Sequence, residues 1–296
     1  MALSKGARER IQQMHDEQAI QNAAKMPSRL VYLVIREEGE EELVRSNRSL
    51  FWAGIAAGIL ISFSVLGEAV FRTYLPDAEW SYLVENLGYS FGFLLVILGR
   101  MQLFTENTIT TVLPLMINPI RIVFLSVLRL WGLVLGANVI GAFVAGWFMA
   151  YSGGIPDVLL PAITELSRHA TGMGAYDSFV RGIPAGILVA AIVWMLAQAD
   201  GGEVLIITFF TWLIAAGDFT HIVAGSVEMA YLLVQGELGL GPAIFEFFLP
   251  VFAGNVVGGT LIFAAMAWGQ VRDEVREAKN DPRKKSKVEE EAEAKT

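Results

Sequence analysis

The sequence predicts an all-α membrane protein in which two three-helix repeats have opposite orientations. The first observation is composition, because 54% of the 296 residues are hydrophobic and the mean hydropathy is +0.50, which is typical of chains that span a bilayer. The second is charge, since residues 50–270 contain only six of the 22 Lys and Arg side chains. The third is a set of sequence matches that recur in the same order in both halves of the chain.

Charge divides the chain into three regions. A charged N-terminal extension covers residues 1–49, a six-span transmembrane domain covers residues 50–270, and a charged tail covers residues 271–296. We expect the extension to be helical and solvated and the tail to be disordered, because both mix basic with acidic side chains. The acidic cluster at residues 37–42 is expected to be a solvated face. No apolar signal-peptide core precedes the first span.

Apolar runs of about 20 residues or more predict the spans. In chain order, they cover about residues 50–71, 82–117, 122–151, 177–199, 204–234 and 242–268. The second run is too long for one ordinary helix and contains Gly, Arg, Glu and Asn. The fifth run is interrupted between Gly217 and Gly225. We therefore predict that spans two and five are broken helices whose irregular backbone packs inside the protein or lines a watery cavity.

Six crossings place both termini on the same side of the membrane. Lys and Arg orient a membrane protein, and the two ends contain sixteen of the 22, so both termini are predicted to be cytoplasmic. The loop after span two, with Arg121, is then cytoplasmic as well. The two long loops that follow spans one and three are predicted to face outward.

Three matches relate the first half of the chain to the second. Residues 54–60 resemble residues 182–188, Phe104 and Thr105 resemble Phe219 and Thr220, and residues 137–141 resemble residues 254–258. Each repeat has three spans, an odd number, so the second must be inverted relative to the first. Paired broken helices in inverted repeats place a permeation or binding site between them. Here that site is predicted to lie between residues 88–107 and 217–225.

Ionisable side chains in the fifth run are the first candidates for this site. His221 and Asp218 lie there at membrane depth, where ionisable groups usually face a pore or a buried partner. His221 is the only His within a predicted span, because His15 lies in the N-terminal extension and His169 in a loop. The alternative is a buried His that hydrogen-bonds to backbone where the helix is broken.

Three motifs resemble those of the formate/nitrite transporter family. Residues 88–107, ending Gln-Leu-Phe-Thr-Glu-Asn, resemble its first broken helix, residues 219–224 resemble its Phe-Glu-His-Ser-Ile-Ala-Asn motif, and residues 249–259 resemble its last span. The resemblance covers about residues 50–270, and the long N-terminus is similar to that of a less characterised bacterial branch. It implies an aquaporin-like protomer in the bacterial cytoplasmic membrane, a pore through each protomer, and a homopentamer. Members pass formate, nitrite, hydrosulfide or lactate-like anions, often with a proton.

The resemblance also implies roles for individual residues. The positions that match the family's pore residues are Phe104, Thr105, His221, Tyr89, Phe93 and Ile214. Of these, His221 matches the central pore His, Thr105 the Thr that hydrogen-bonds near it, and Phe104 a pore-lining Phe. Tyr89 and Phe93 stand where the first break supplies bulky constriction residues. The family usually has Phe at the position of Ile214.

Several residues depart from the family pattern. Thr220 replaces the Glu before the His, Gly225 replaces the Asn after it, and Gly186 replaces the pore Asn of span four. The membrane domain contains no Lys, so the Lys that many members place near the outer vestibule is missing. Arg168 and His169 are the nearest basic side chains in that loop.

Arg100, Glu106 and Asp218 are charges that the family's formate channels lack at these places. If Arg100, beside Glu106, lines the pore, it attracts anions and contributes to selectivity. If they are structural, Arg100 forms a salt bridge between helices or protomers, with Glu68 or Asp218 as the partner, because intramembrane charges usually pair.

Four further residues are expected to be structural. Asn138 and Asn255 occupy equivalent positions in the two repeats and are expected to hold the backbone of the broken segments. Gly217 and Gly225 flank His221 and are expected to break the helix on either side of it.

These observations favour a channel or secondary transporter for small monovalent anions or their weak acids. A protonated His221 can hand its proton to an anion, which then crosses an apolar slit as a neutral molecule. Two rivals stay open: a pore for small neutral solutes or cations, and a non-conducting membrane protein that binds a cytoplasmic partner. The expected partners are a small substrate, bilayer lipid and further protomers.

The sequence lacks the residue groupings on which the common classes of enzyme activity depend. It has no Cys, no supported Ser-His-Asp grouping and no phosphate loop, and His221 has no metal-ligand partners in the sequence pattern. No enzyme activity, metal, cofactor or nucleic-acid partner is therefore expected.

Overall fold

The structure, a computed structural model, describes residues 26–280, with side chains as far as Arg276. All of the secondary structure assigned in this part of the chain is helical, which confirms the predicted all-α class. Residues 1–25 and 281–296 lie outside the described residues, so the expectations for those parts of the extension and tail are not tested by the fold.

Within residues 26–280, five helices are long and apolar enough to cross a membrane. They are α2 (Asn47–Tyr74), α3 (Ser81–Leu98), α6 (Arg121–Tyr151), α8 (Ala175–Leu196) and α11 (Leu240–Arg276). Two shorter apolar helices, α9 (Glu203–Ala216) and α10 (Ile222–Gln235), follow one another across an interruption. The remaining helices are α1 (Ser28–Val44), α4 (Phe104–Thr110), α5 (Val112–Ile117) and α7 (Leu160–Thr171).

Glycines let equivalent helix pairs of the two halves approach closely. A Cβ atom at Gly58 of α2 would lie 2.1 Å from the carbonyl oxygen of Asn138 in α6, and one at Gly186 of α8 would lie 2.3 Å from that of Asn255 in α11. Real side chains do not tolerate such distances, so these positions require glycine. Because lipid does not drive helices together as water does, small residues at such contacts are what allow tight packing.

Helix α1 is not the solvated extension that its charges predict. Val31, Tyr32 and Ile35 are fully or almost fully buried, and they join a small apolar core with residues of α5, α8 and α11. The Tyr32 hydroxyl donates a hydrogen bond to the Leu113 carbonyl at 3.1 Å, and its burial raises the pKa of that phenol. The expectation fails because apolar residues at a spacing of three and four give the helix one buried face, whatever its charges on the other.

The last helix also runs further than predicted. The sequence suggests a disordered tail from residue 271, but the last segment of α11, from Ala265 onward, stays helical to Asn280. Val271 and Val275 are buried against the core beneath α1. Gln270 Nε2 donates to Ser28 Oγ at 3.1 Å, and the rings of Tyr32 and Trp268 lie 5.4 Å apart. The tail is helical over these residues because α1 provides a partner for its apolar side.

Candidate functional site

Two helix interruptions form the centre of the molecule. The first break, residues 99–103, separates α3 from α4, and the second, residues 217–221, separates α9 from α10. In both, a non-glycine residue has a positive φ: 51° at Arg100 and 55° at Asp218. This left-handed backbone ends each first half-helix, and for a residue with a Cβ atom it costs roughly 1–2 kcal/mol.

One buried asparagine holds each break in place. Asn138 Oδ1 accepts a hydrogen bond from the Phe104 N–H at 2.9 Å, and its Nδ2 donates to the carbonyls of Gly54 and Gln102, both at 2.8 Å. Asn138 thus ties α4, which begins at the break, to the neighbouring helix α2 and to the break's own backbone.

Asn255 makes the same three contacts in the second repeat. Its Oδ1 accepts from the Ile222 N–H at 2.9 Å, and its Nδ2 donates to the carbonyls of Gly182 at 2.8 Å and Thr220 at 2.9 Å. The freed backbone groups at both breaks are therefore satisfied internally, as membrane depth requires.

These contacts correct the register of the predicted repeat. Because Asn138 and Asn255 bind Phe104 and Ile222 respectively, the structural counterpart of Phe104 is Ile222 rather than Phe219. The counterpart of His221 is then Leu103. The Phe-Thr match at the breaks is misleading, because it aligns Phe104 with Phe219, three positions before its structural counterpart Ile222.

His221 begins α10 and caps it. Its Nδ1 accepts a hydrogen bond from the Ala224 N–H at 3.2 Å, so Nδ1 carries no proton and the neutral ring carries its proton on Nε2. Nε2 lies 2.8 Å from Thr105 Oγ1 and therefore donates to that hydroxyl. The ring is buried, with 2% of its surface exposed. A side chain from each break meets at this contact.

Aromatic rings surround the imidazole on one side. The Phe93 ring lies 5.0 Å from the His221 ring, edge to face, and the Tyr89 ring lies 5.1 Å from that of Phe93. The ring of Phe104 contacts those of Trp131 and Phe252. Ile214 is buried in the main core, and its carbonyl accepts from the Phe219 N–H. The structure therefore brings together four of the six predicted pore residues.

Only one of the two glycines has its predicted role of breaking the helix. Gly217 does end α9, but with φ −85°, so the left-handed turn falls on Asp218. Gly225 does not break a helix, because it lies inside α10. A Cβ atom there would lie 2.4 Å from Cζ of Phe247. Gly225 is thus needed for close packing against α11, and the break ends at His221.

The predicted partners of Arg100 are wrong. The Arg100 side chain is 87% exposed and lies 3.7 Å from Glu38 of α1. Among the described residues it forms no ion pair with Glu68 or Asp218. Asp218 pairs with Arg181 and, at 2.8 Å, with His169, which lies on helix α7 rather than in a loop. Glu106 lies in the first turn of α4. Arg100 and Glu106 therefore both lie near Glu38 of α1, whereas Asp218 has other surroundings.

A cavity of about 240 Å³ opens beside His221. Its charged and titratable lining residues are Glu68, Arg72, Tyr82, Glu85, Tyr89, Glu165, His169, Asp218, His221 and Glu228. Among them, five carboxyl groups face a single guanidinium group. Sequence reasoning did not identify Glu228, although the signal is present: it is an acid in an apolar helix, seven residues or about two turns after His221.

The apolar helices, the paired breaks and the buried contact between them define a multi-pass membrane protein of the transporter class. The family model described as formate/nitrite transporter matches residues 29–269. The chain belongs to the formate/nitrite transporter family. Its relatives are channels and transporters, and the chain is not an enzyme.

Two curated relatives and one solved structure illustrate the similarity. The inner membrane protein YfdC of Escherichia coli (strain K12) is 41% identical over 253 residues, which cover 85% of this chain and 82% of that protein. The formate channel FocA of Haemophilus influenzae is 26% identical over 237 residues, or 71% of this chain and 82% of that one. A pentameric formate channel with formate bound shares the fold, with a TM-score of 0.65, 22% identity, and coverage of 76% of this chain and 97% of that one.

Proposed function

We propose that this protein is a channel or secondary transporter that moves small monovalent anions, or their weak acids, across a bacterial cytoplasmic membrane. The observation that carries the proposal is the 2.8 Å contact between His221 Nε2 and Thr105 Oγ1. It joins the two broken helices at a buried point, where inverted-repeat transporters hold their substrate. Membership of the formate/nitrite transporter family and the named formate channels among the relatives support the same substrate class.

The chemistry at this contact suits a weak acid. A bare anion between buried apolar rings loses its hydration at a cost of several kcal/mol, whereas the neutral acid does not. The Nε2–H of His221 and the hydroxyl of Thr105 are two polar groups that can hydrogen-bond to a carboxyl or nitrite oxygen, and the imidazole can exchange a proton with it once a second proton reaches the ring. Phe93 and Tyr89 pack beside the imidazole and keep the passage narrow.

Formate uptake by proteoliposomes at several outside pH values tests the proposal. Wild-type flux should rise as the outside pH falls, because more of the substrate crosses with a proton. His221→Asn removes the titrating ring but leaves a residue that caps helices well, so flux should become independent of pH without loss of assembly. His221→Phe should block flux sterically and remove the cap.

The result that would contradict this role is transport by both variants with the wild-type pH profile. His221 would then be a buried structural residue that caps α10. Wild-type liposomes that take up no formate or nitrite at any pH would contradict the proposed substrate class itself.

A specific observation favours a second candidate function, a path for small cations. The five carboxyl groups of the cavity generate a negative potential that attracts cations and repels anions at low ionic strength. Liposomes loaded with a pH-insensitive ion dye and given gradients of sodium formate, ammonium chloride or potassium chloride distinguish the two. Flux that follows the cation and ignores the anion would favour the second candidate.

We further propose an arrangement of the chain in the membrane and in the assembly. Residues 50–270 form the transmembrane channel domain, the charged residues 1–49 and 271–296 lie in the cytoplasm, and five protomers associate. The basic side chains of both ends support the orientation, and the pentameric formate channel supports the assembly number. Native mass spectrometry in detergent that detects only monomers or dimers would contradict the pentamer, and labelling of a cysteine introduced at Ser46 from outside intact cells would contradict the orientation.

A further inference from the structure

Two buried carboxyl groups in the cavity beside His221 form no salt bridge in the described part of the chain. Three of the five cavity carboxyl groups are paired: Glu85 and Glu165 with Arg72, and Asp218 with Arg181 and His169. Glu68 and Glu228 take part in none of these contacts. Only 6% of Glu68 and 8% of Glu228 is exposed, and both side chains line the cavity.

The two unpaired groups lie in the same cavity as the constriction residues. Glu68 belongs to α2 and Glu228 to α10, two helices that contact one another. Glu228 is on the helix that His221 caps, and both line the cavity together with Tyr89 and His221. An anion that enters this cavity therefore meets Glu68 and Glu228 close to the contact of His221 with Thr105.

His221 needs a proton source in this geometry. Its Nδ1 accepts from the Ala224 N–H, and its single proton points to Thr105. Because the lone pair of Nδ1 is used by the cap, the ring is neutral, and loss of its one proton would leave an imidazolate. The proton that the substrate takes up therefore has to come from another group beside the passage. The imidazole alone therefore does not supply a proton for each substrate molecule.

The cavity groups differ in their suitability as that source. The charged and titratable side chains that face the cavity from every element are Glu68, Arg72, Tyr82, Glu85, Tyr89, Glu165, His169, Asp218, His221 and Glu228. Arg72 and Arg181 hold Glu85, Glu165 and Asp218 as ion pairs. A carboxyl group with no cationic partner in an apolar surrounding takes up and releases a proton without breaking such a pair.

We propose that Glu68 and Glu228 are a proton-donating carboxyl pair that protonates the incoming anion before it reaches the contact between His221 and Thr105. The inference rests on the proposed function. In the step, an O–H bond of a Glu carboxyl group breaks and an O–H bond forms on an oxygen of the substrate anion. The Glu carboxylate then takes a proton from the solution that fills the cavity. While it holds its proton, the Glu side chain does not repel the anion, and the transfer of that proton turns the anion into a neutral acid.

Formate uptake with simultaneous recording of luminal pH tests the proposal. Glu228→Gln and Glu68→Gln preserve size and polarity but cannot donate an acidic proton, so we expect formate flux at neutral pH to fall about tenfold or more, as when a general acid is removed. The rise of flux at low outside pH should flatten. Glu237→Gln is the matched control, because Glu237 pairs with Arg168 and lies outside the cavity, and it should retain the wild-type profile.

Each outcome separates this inference from the proposed function. If wild-type protein moves formate and the Gln variants move it equally fast or faster at neutral pH, the carboxyl groups only repel anions or support packing, and the inference is wrong. If a Gln variant fails to assemble, Glu228→Asp keeps the acid and should keep pH-dependent flux; pH-independent flux in that variant also overturns the inference. Failure of the wild type to move formate would contradict the proposed function, and the inference with it.

Discussion

The first break, residues 99–103, and the second, residues 217–221, share a hydrogen-bond pattern but differ in their surroundings. Both turn through a left-handed residue, and both are held by one asparagine with three contacts. At the first break the left-handed residue is Arg100, which points to α1, and the half-helix begins after Leu103. At the second it is Asp218, which lines the cavity, and His221 caps the half-helix.

This difference separates the scaffold from the chemistry. The asparagine contacts are needed at both breaks, because backbone groups freed at membrane depth must find partners in the protein. Only the second break contributes titratable groups to the cavity, namely Asp218 and His221. The first break contributes Thr105, whose structural counterpart in the second is Val223. The two breaks are therefore alike in their backbone contacts and different in their polar side chains.

The largest expected effect comes from the shared scaffold. Asn138→Ala and Asn255→Ala each leave one backbone N–H and one carbonyl of the break without a side-chain partner and remove a bond to a neighbouring helix, which should lower stability by about 3 kcal/mol or more. Thermal unfolding in detergent should show similar losses for the two variants. A much smaller loss for one of them would show that the two breaks are not held in the same way.

A smaller effect is expected where the two breaks meet. Thr105→Val gives the first repeat the same residue as the second has at the equivalent position, Val223. It also leaves the Nε2–H of His221 without an acceptor. We expect a loss of about 1–3 kcal/mol and a fall in formate flux. Thr105→Ser retains the hydroxyl and should behave like wild type in the same unfolding and uptake assays. Normal flux through Thr105→Val would remove Thr105 from the proposed site.

The smallest expected effect is a change in stability whose sign differs between the two breaks. Arg100→Gly relieves the left-handed strain and loses only an exposed ion pair, so stability should rise by about 1 kcal/mol. Asp218→Gly relieves the same strain but removes the partner of Arg181 and His169, so stability should fall by about 1 kcal/mol. Asp218→Asn, which tolerates a left-handed backbone, is the control. Equal gains for both glycine variants would show that the Asp218 ion pairs contribute nothing.

The sequence predicted the class, the family and the central contact. Long apolar runs, glycines in α2, α6, α8 and α11, and an isolated His in an apolar run are local signals. They led correctly to an all-α membrane protein of this transporter family. The contact of His221 with Thr105 came from the resemblance, since residues 116 positions apart give no local sign of their proximity.

All of the errors in the predictions except the one at Gly225 share a physical origin. Arg100 pairs with Glu38, Glu228 joins Glu68, and the tail helix packs on α1; each depends on elements that are distant in the chain. The prediction that Gly225 breaks the helix failed for another reason. A buried glycine that permits close packing and one that permits a turn look the same in a sequence, and only the position of Phe247 distinguishes them.

The contact between α1 and the last helix has a consequence for biosynthesis. Ser28 and Gln270 are separated by 242 positions, so α1 leaves the ribosome long before its partner exists. At ordinary synthesis rates the interval is roughly 10–50 s. Throughout that time Tyr32 lacks Trp268, and the apolar face of α1 lacks part of its final cover. The membrane surface is the nearest apolar phase, so the nascent helix is expected to rest there until translation ends.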